Sequence, residues 1–286
     1  LSNYFSALIS FDNQKNDDAI KFFNSSKFLI TKHDNFLRNY VFSLVLDGQI
    51  KKAINQINYS KEANFFEANL LLTLDSLKKK KYKQAENRIN KLLSFENYET
   101  YNFVILKTLE SYNYSFLHKK IGKNDGSLGR IDLITQAFQN CYLDSNKTNS
   151  HFLNIINSQD GDYSRYLFFY LVNIIENEDY EKAKAISTTI EPLTSGLLIA
   201  QANEWIKNNK YNKFNDHFSC KNESDLLAEF FFLIANLYSS QDQFKESNFY
   251  LKISNYLNPK FYFNQSLLAK NYYLNDNFVL AKKIFQ

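Results

Sequence analysis

Side chains able to do acid–base, nucleophilic or metal chemistry are few and scattered. Four histidines stand at His33, His118, His151 and His217. None lies within four residues of another, so there is no HExxH pair and no two-histidine helix face. Each reads as a surface or partly packed imidazole. The two cysteines, Cys141 and Cys220, form neither a CxxC nor a zinc-ligand spacing. Two buried thiols acting as small apolar groups are the expectation, and a disulfide becomes possible in an oxidising compartment. Acidic residues gather at Asp17-Asp18, at Glu96 and Glu99, and at Glu176, Glu178 and Asp179. They fall in expected turns and helix starts, where a carboxylate complements the helix dipole. A catalytic carboxylate pair would need a shared cleft, which no spacing here supplies. The glycine-bearing stretch 118–129 contains neither GxxxxGK[ST] nor GxGxxG and follows no strand, so it reads as a plain loop. GxSxG is absent as well. The sequence therefore assigns no catalytic, cofactor-binding or metal-ligating residue, and neither an enzymatic activity nor a cofactor is expected.

Composition turns attention to the elements instead. In 286 residues there are 6 Gly and 2 Pro, too few for the many tight turns of a sandwich or barrel. Long helices joined by short polar turns suit those counts. The net charge is +4, a mild excess that calls for no nucleic-acid partner. The densest basic run, Lys78 to Lys81 with Lys83, reads as a solvated helix end. No run of 18 apolar residues exists, so no transmembrane segment is expected. The chain opens on Leu1 and contains no Met, which reads as a missing start. Asn-x-Ser/Thr occurs six times, at Asn58, Asn113 and Asn146 among others, and in an Asn-rich chain carries no assignment.

Near the C-terminus the chain repeats itself at a period of 34 residues. Ile234 aligns with Leu268, Ala235 with Ala269, Tyr238 with Tyr272, Phe244 with Phe278, Ser247 with Ala281, and Leu251 with Phe285. Phe231, Ile234, Ala235 and Tyr238 recur at 3, 4 and 7 and line one helix face; Phe244, Ser247, Leu251 and Ser254 line a second. The polar stretch 239–243 between them is the turn. Ala235 and Ser247 fall where the two helices would approach most closely, and Pro259 ends the unit. Looser copies run upstream: Ala7, Ala19, Phe23 and Ser26; Tyr40, Leu44, Gly48, Ala53 and Ile57; Leu72, Tyr82, Ala85 and Ile89; Tyr170, Ile174, Tyr180 and Ala183, closed by Pro192; and Ala202, Trp205, Tyr211 and Phe214.

Filled in this order, Phe231, Ile234-Ala235, Tyr238, Phe244, Ser247, Leu251, Ser254 and Pro259 resemble the tetratricopeptide repeat. The runs from Asn3 to Phe23 and from Leu227 to Pro259 are similar to an alphaproteobacterial group of such proteins. The resemblance implies an all-α fold, a right-handed solenoid of stacked antiparallel helical hairpins. Residues 1–112 would form N-terminal hairpins, 113–161 a degenerate hairpin with the glycine loop, and 162–286 C-terminal hairpins cut in the last helix. It further implies a non-enzymatic scaffold that binds a protein or peptide on its concave face, with Arg38, Phe42, Asn236, Lys270 and Tyr273 pointing inward. Asn236 matches one position of a carboxylate-binding clamp, but Phe232 replaces its Lys. A second reading is a docking or regulatory region of a larger enzyme whose catalytic domain lies elsewhere. Exposed Phe278 and Phe285 would allow self-association. The resemblance points to a periplasmic or envelope location, with the cytoplasm as the alternative.

Overall fold

The structure is a computed structural model that describes the chain except for residues 34, 61–62, 95–99, 123, 125, 159–163, 191–195 and 286 and the side chains of 100 and 285. Glu96, Glu99, Pro192 and the side chain of Phe285, all invoked above, lie outside the described residues. Among the described residues every regular element is helical and no strand occurs. Contacts divide the chain into two compact units, one of Leu1–Phe103 with Ala228–Gln286, the other of Val104–Leu227. This division cuts across the three segments read along the repeat pattern, because the first unit joins the two ends of the chain.

In chain order the first unit holds α1 (Ser2–Asp12), α2 (Asn16–Ser25), α3 (Phe36–Leu46), α4 (Ile50–Tyr59), α5 (Phe66–Lys78) and α6 (Tyr82–Leu93). The boundary falls inside α7 (Thr100–His118). The second unit continues with α8 (Arg130–Tyr142), α9 (Thr148–Ile156), α10 (Arg165–Glu176), α11 (Tyr180–Thr188), α12 (Leu197–Lys207) and α13 (Asn212–His217). A second boundary falls inside α14 (Glu223–Ser239), after which α15 (Phe244–Leu257), α16 (Gln265–Leu274) and α17 (Phe278–Phe285) complete the first unit. Short 3-10 turns at Lys27–Leu29 and Tyr262–Asn264 precede α3 and α16.

Consecutive helices pack in pairs, α1 on α2, α3 on α4, α5 on α6, α8 on α9 and α16 on α17. The reason lies in where the apolar residues fall. In α4, Ile50, Ala53, Ile54 and Ile57 are buried while Lys51 is exposed and Lys52 half-buried, a single stripe at helical spacing. In α3, by contrast, Phe36, Leu37, Tyr40, Val41, Leu44 and Val45 are all buried, because α2, α4, α5 and α15 cover it from several sides. The contact of α3 with α15 joins segments some two hundred residues apart, which a strictly nearest-neighbour array would not contain.

One turn recurs. After α1, α3, α5, α8, α10, α12, α14 and α16 the chain passes through a positive φ at Gln14, Gly48, Lys80, Asp144, Glu178, Asn209, Asp242 and Asp276. At each, the following amide reaches back five residues, as from Lys15 N to Ser10 O, Lys81 N to Ser76 O and Asn277 N to Tyr272 O, each 2.8 Å. The positive-φ residue's own amide reaches back three residues. These paired bonds close the helix C-terminus and send the chain straight into the next helix. Gly48 is the one glycine among them, and Asp144, Asn209, Asp242 and Asp276 are the types that tolerate such a backbone next best.

The last hairpins are locked by a polar network that repeats no motif. Ser247 Oγ donates to Ala235 O at 2.7 Å, which places these two small residues at the close approach expected of them. Asn271, fully buried, donates to Ser247 Oγ and to Asn248 Oδ1, each at 2.8 Å, and accepts from Ser239 Oγ at 2.7 Å. In the second unit the core is aromatic, with Phe138, Phe152, Phe168, Phe169, Phe214 and Phe218 buried. Here the free-thiol expectation gives way: Cys141 and Cys220 are joined as a disulfide. Both are fully buried, and α8 and the segment entering α14 bring their Cα atoms to 5.6 Å. A cross-link spanning 79 residues of sequence is worth about 4 kcal/mol in the chain-entropy account.

Candidate functional site

The five side chains expected on a binding face separate into two groups. Asn236, Lys270 and Tyr273 are exposed. Asn236 and Lys270, 34 residues apart, occupy equivalent places on α14 and α16. Tyr273 is 62% exposed and packs edge-to-face with Phe278, 5.4 Å away between ring centroids. Phe278 is itself 55% exposed, so the apolar end expected of the last hairpin is present at that residue.

Arg38 and Phe42 lie elsewhere in the first unit, Arg38 with an exposed side chain and Phe42 half-buried. They stand one turn apart on α3 and so share a face. Phe42 stacks on Phe249 of α15 with centroids 4.4 Å apart. Arg38 Nη2 donates to Glu67 Oε1 of α5 at 2.8 Å. Together they border a partly open cavity of about 150 Å³. Its remaining walls are Asn102 of the first turn of α7, Tyr238 of α14, and Glu246 and Tyr250 of α15. Tyr238 and Tyr250 stack at 5.3 Å. Glu67 is 9% exposed, and its second carboxylate oxygen, Oε2, is buried without a hydrogen-bond partner. Leaving a buried acceptor unpaired is costly.

Sequence reasoning missed Glu67, Asn102, Glu246, Phe249 and Tyr250 as members of one site. Glu67 opens α5, where an acid is expected for the helix dipole alone. Glu246, Phe249 and Tyr250 follow helical spacing on α15, a signal indistinguishable from ordinary packing. What assembles them is the contact of α3 with α15, invisible to any local pattern.

A wider polar cleft of about 730 Å³ lies in the same unit between the α1–α2 turn, the end of α3, and α15 to α17. Asp17, Asp47, Lys21, Lys252, Lys283 and Tyr272 line it. Burial pushes the Asp47 carboxyl above its ordinary value, and the hydrogen bond and charge of Asp17 push it the same way, while Gln49 opposes them with a hydrogen bond. Burial holds the Lys252 ammonium below its ordinary value and raises the Tyr272 hydroxyl to about 12. The basic run at the end of α5 is not uniformly solvated: Lys78 Nζ sits 4.0 Å from the centre of the Tyr256 ring and donates to its carbonyl at 2.6 Å.

In the second unit Cys141, Glu176 and Cys220 hold ligand-type atoms within 4.8 Å of one another. Both sulfurs are spent in the disulfide, and Ser219 Oγ donates to Glu176 at 2.5 Å. Burial raises the Glu176 carboxyl. In the glycine loop, Gly122 N donates to Ser115 Oγ at 3.0 Å, and a β-carbon there would collide with Ser111 and Gln139. Comparison with family models, with curated proteins and with solved structures found no match to this chain.

Proposed function

We propose that this chain is a non-enzymatic interaction scaffold, an array of tetratricopeptide-type helical hairpins that holds a segment of a partner protein. The recurring turn carries the reading. Eight helix ends are closed by the same paired bonds, five in the first unit and three in the second, and along each continuous stretch of chain within a unit neighbouring copies lie 31 to 34 residues apart. That is the spacing of stacked hairpins, which present equivalent positions of successive helices along one face. Asn236 and Lys270 are such a pair, exposed and polar, with the aromatic Tyr273 three residues after Lys270. An amide, a cation and an aromatic anchor suit a peptide held by hydrogen bonds and one buried ring. The Cys141–Cys220 bond suits an oxidising compartment, in keeping with an envelope location.

The test compares proteins retained by the intact chain with those retained by a triple variant, Asn236→Ala, Lys270→Glu and Tyr273→Ala. All three residues are exposed, so the variant keeps its helicity by circular dichroism. Loss of the retained partners is the expected result. Retention of the same partners by the triple variant overturns the assignment of this face.

A further inference from the structure

A cleft of about 530 Å³ opens in the first unit where the end of α4, the start of α5 and the end of α6 meet. Its charged walls carry one sign. Arg88 and Lys91 of α6 line it together with Asn58, Ser60, Asn64 and Asn69, and no acidic side chain lines it among the described residues. Three residues apart on one helix, Arg88 and Lys91 share a face, with β-carbons about 5–6 Å apart. Cations close by in the sequence are paired, Lys79 with Asp75 at 2.7 Å and Lys83 with Glu86 at 3.7 Å. Among the described residues the side chains of Arg88 and Lys91 have neither an ion pair nor a hydrogen bond. Lys91 stands in the last turn of α6, where a cation suits the helix dipole without any ligand. Arg88 is not explained that way. It is half-buried, and its Nε is closed off from water with no acceptor. Nη1 and Nη2 are neither buried nor bonded, so the end of the guanidinium is open to the cleft that Arg88 lines. A cation partly removed from water without a counter-charge is unfavourable, and an anion that meets Nη1 and Nη2 relieves it.

We propose that this cleft binds a phosphate monoester, with Arg88 and Lys91 as the groups that meet the phosphate. The count of charges selects the class. Two unpaired cations match the charge of about −1.5 to −2 that a phosphate monoester carries at neutral pH. A carboxylate or a phosphate diester has one negative charge and leaves a cation unmatched. The planar guanidinium donates two parallel bonds to two phosphate oxygens, and the lysine ammonium adds a point charge. At about 30 Å³ per water, the cleft has room for roughly seventeen waters, enough for the alcohol part of the ester beside the phosphate. The exposed amides of Asn58 and Asn64 offer hydrogen bonds to that part. The site uses none of the residues of the exposed face on α14 and α16, and it does not rest on the scaffold reading.

The experiment titrates glycerol 3-phosphate into the full chain by calorimetry at one fixed ionic strength, with dimethyl phosphate and acetate as singly charged controls. Saturable one-site binding of glycerol 3-phosphate is expected, at least tenfold tighter than that of either control. It is expected to weaken at least tenfold in Arg88→Gln and in Lys91→Gln. Arg88→Lys keeps the charge without the fork and is expected to fall between the parent and Arg88→Gln. Lys91 is exposed, so its variant keeps the test decisive if Arg88→Gln fails to fold. A peptide with one phosphoserine, set against the same peptide with serine, separates the sources of the ester. Tighter binding of the phosphopeptide than of glycerol 3-phosphate assigns the site to a phosphorylated side chain of a partner, and weaker binding assigns it to a small ester. Absence of binding by both esters, equal binding by the parent and the two Gln variants, or binding of dimethyl phosphate as tight as that of glycerol 3-phosphate overturns the proposal. Each of those results leaves the exposed-face test of the scaffold unaffected.

Discussion

Asp47 follows the last turn of α3, where a negative charge opposes the helix dipole. Its surroundings add to that cost: burial comes first, and Asp17 acts in the same direction. The folded protein therefore holds a proton on Asp47 more tightly than the unfolded chain does. For a carboxyl raised in this way the stabilising contribution is complete below the ordinary carboxylate range. It is lost as pH climbs through the raised value. Asp47→Asn removes the titrating group but keeps an acceptor for the Gln49 side chain, which donates at 2.5 Å. The variant is expected to gain thermal stability over the parent at neutral pH, and the gain shrinks to nothing as pH falls below the ordinary carboxylate range. Melting curves across that window check it; an equal shift at every pH would mean that the charge of Asp47 is not what is being removed.

At the level of the element, the eight recurring turns fix where each helix stops and in which direction the next one starts. Their backbone strain differs by residue type. A left-handed conformation costs a residue with a β-carbon about 1–2 kcal/mol, less for Asn and Asp. Gly48 has φ +79° and open space where a β-carbon would go, so Gly48→Ala reports the conformational cost alone. About 1 kcal/mol of destabilisation is expected, read as a lower midpoint in urea at unchanged slope. Lys80→Gly, at φ 57°, removes the strain and is expected to raise the midpoint by a smaller amount, since glycine adds entropy to the unfolded chain. These turns explain what the sequence disclosed and what it hid. α4 and α6 are legible because Ile50, Ala53, Ile54 and Ile57, or Ala85, Ile89 and Leu92, mark a single buried stripe. The turn after α3 is legible through Gly48. The turns at Gln14, Lys80 and Glu178 are not, because their side chains announce nothing about φ and the backbone bonds make the motif. Arg38 and Phe42 could be singled out on α3, but the partners that define their cavity come from helices whose proximity no local spacing encodes.

For the first unit taken whole, the decisive feature is that its two chain segments share a core. A linear array of hairpins distributes stability between neighbours, so damage at one end leaves the other folded. Here α3 touches α15, Lys78 caps onto Tyr256, and Lys245 lies over the ring of Phe11 at 3.3 Å while reaching Asp12 at 3.6 Å. Phe249 is the centre of that joint, 1% exposed and stacked on Phe42. Truncating a buried phenylalanine to alanine costs about 3–5 kcal/mol through lost burial and the cavity left behind. Phe249→Ala is expected to lower amide protection in α3 together with α15, although the two helices are distant in sequence. Protection in α8 to α13, all in the other unit, reports whether the loss stays within the first. If protection falls only in α15 to α17 and α3 is unchanged, the unit behaves as a chain of independent neighbours, and the joint between its two segments carries little of its stability.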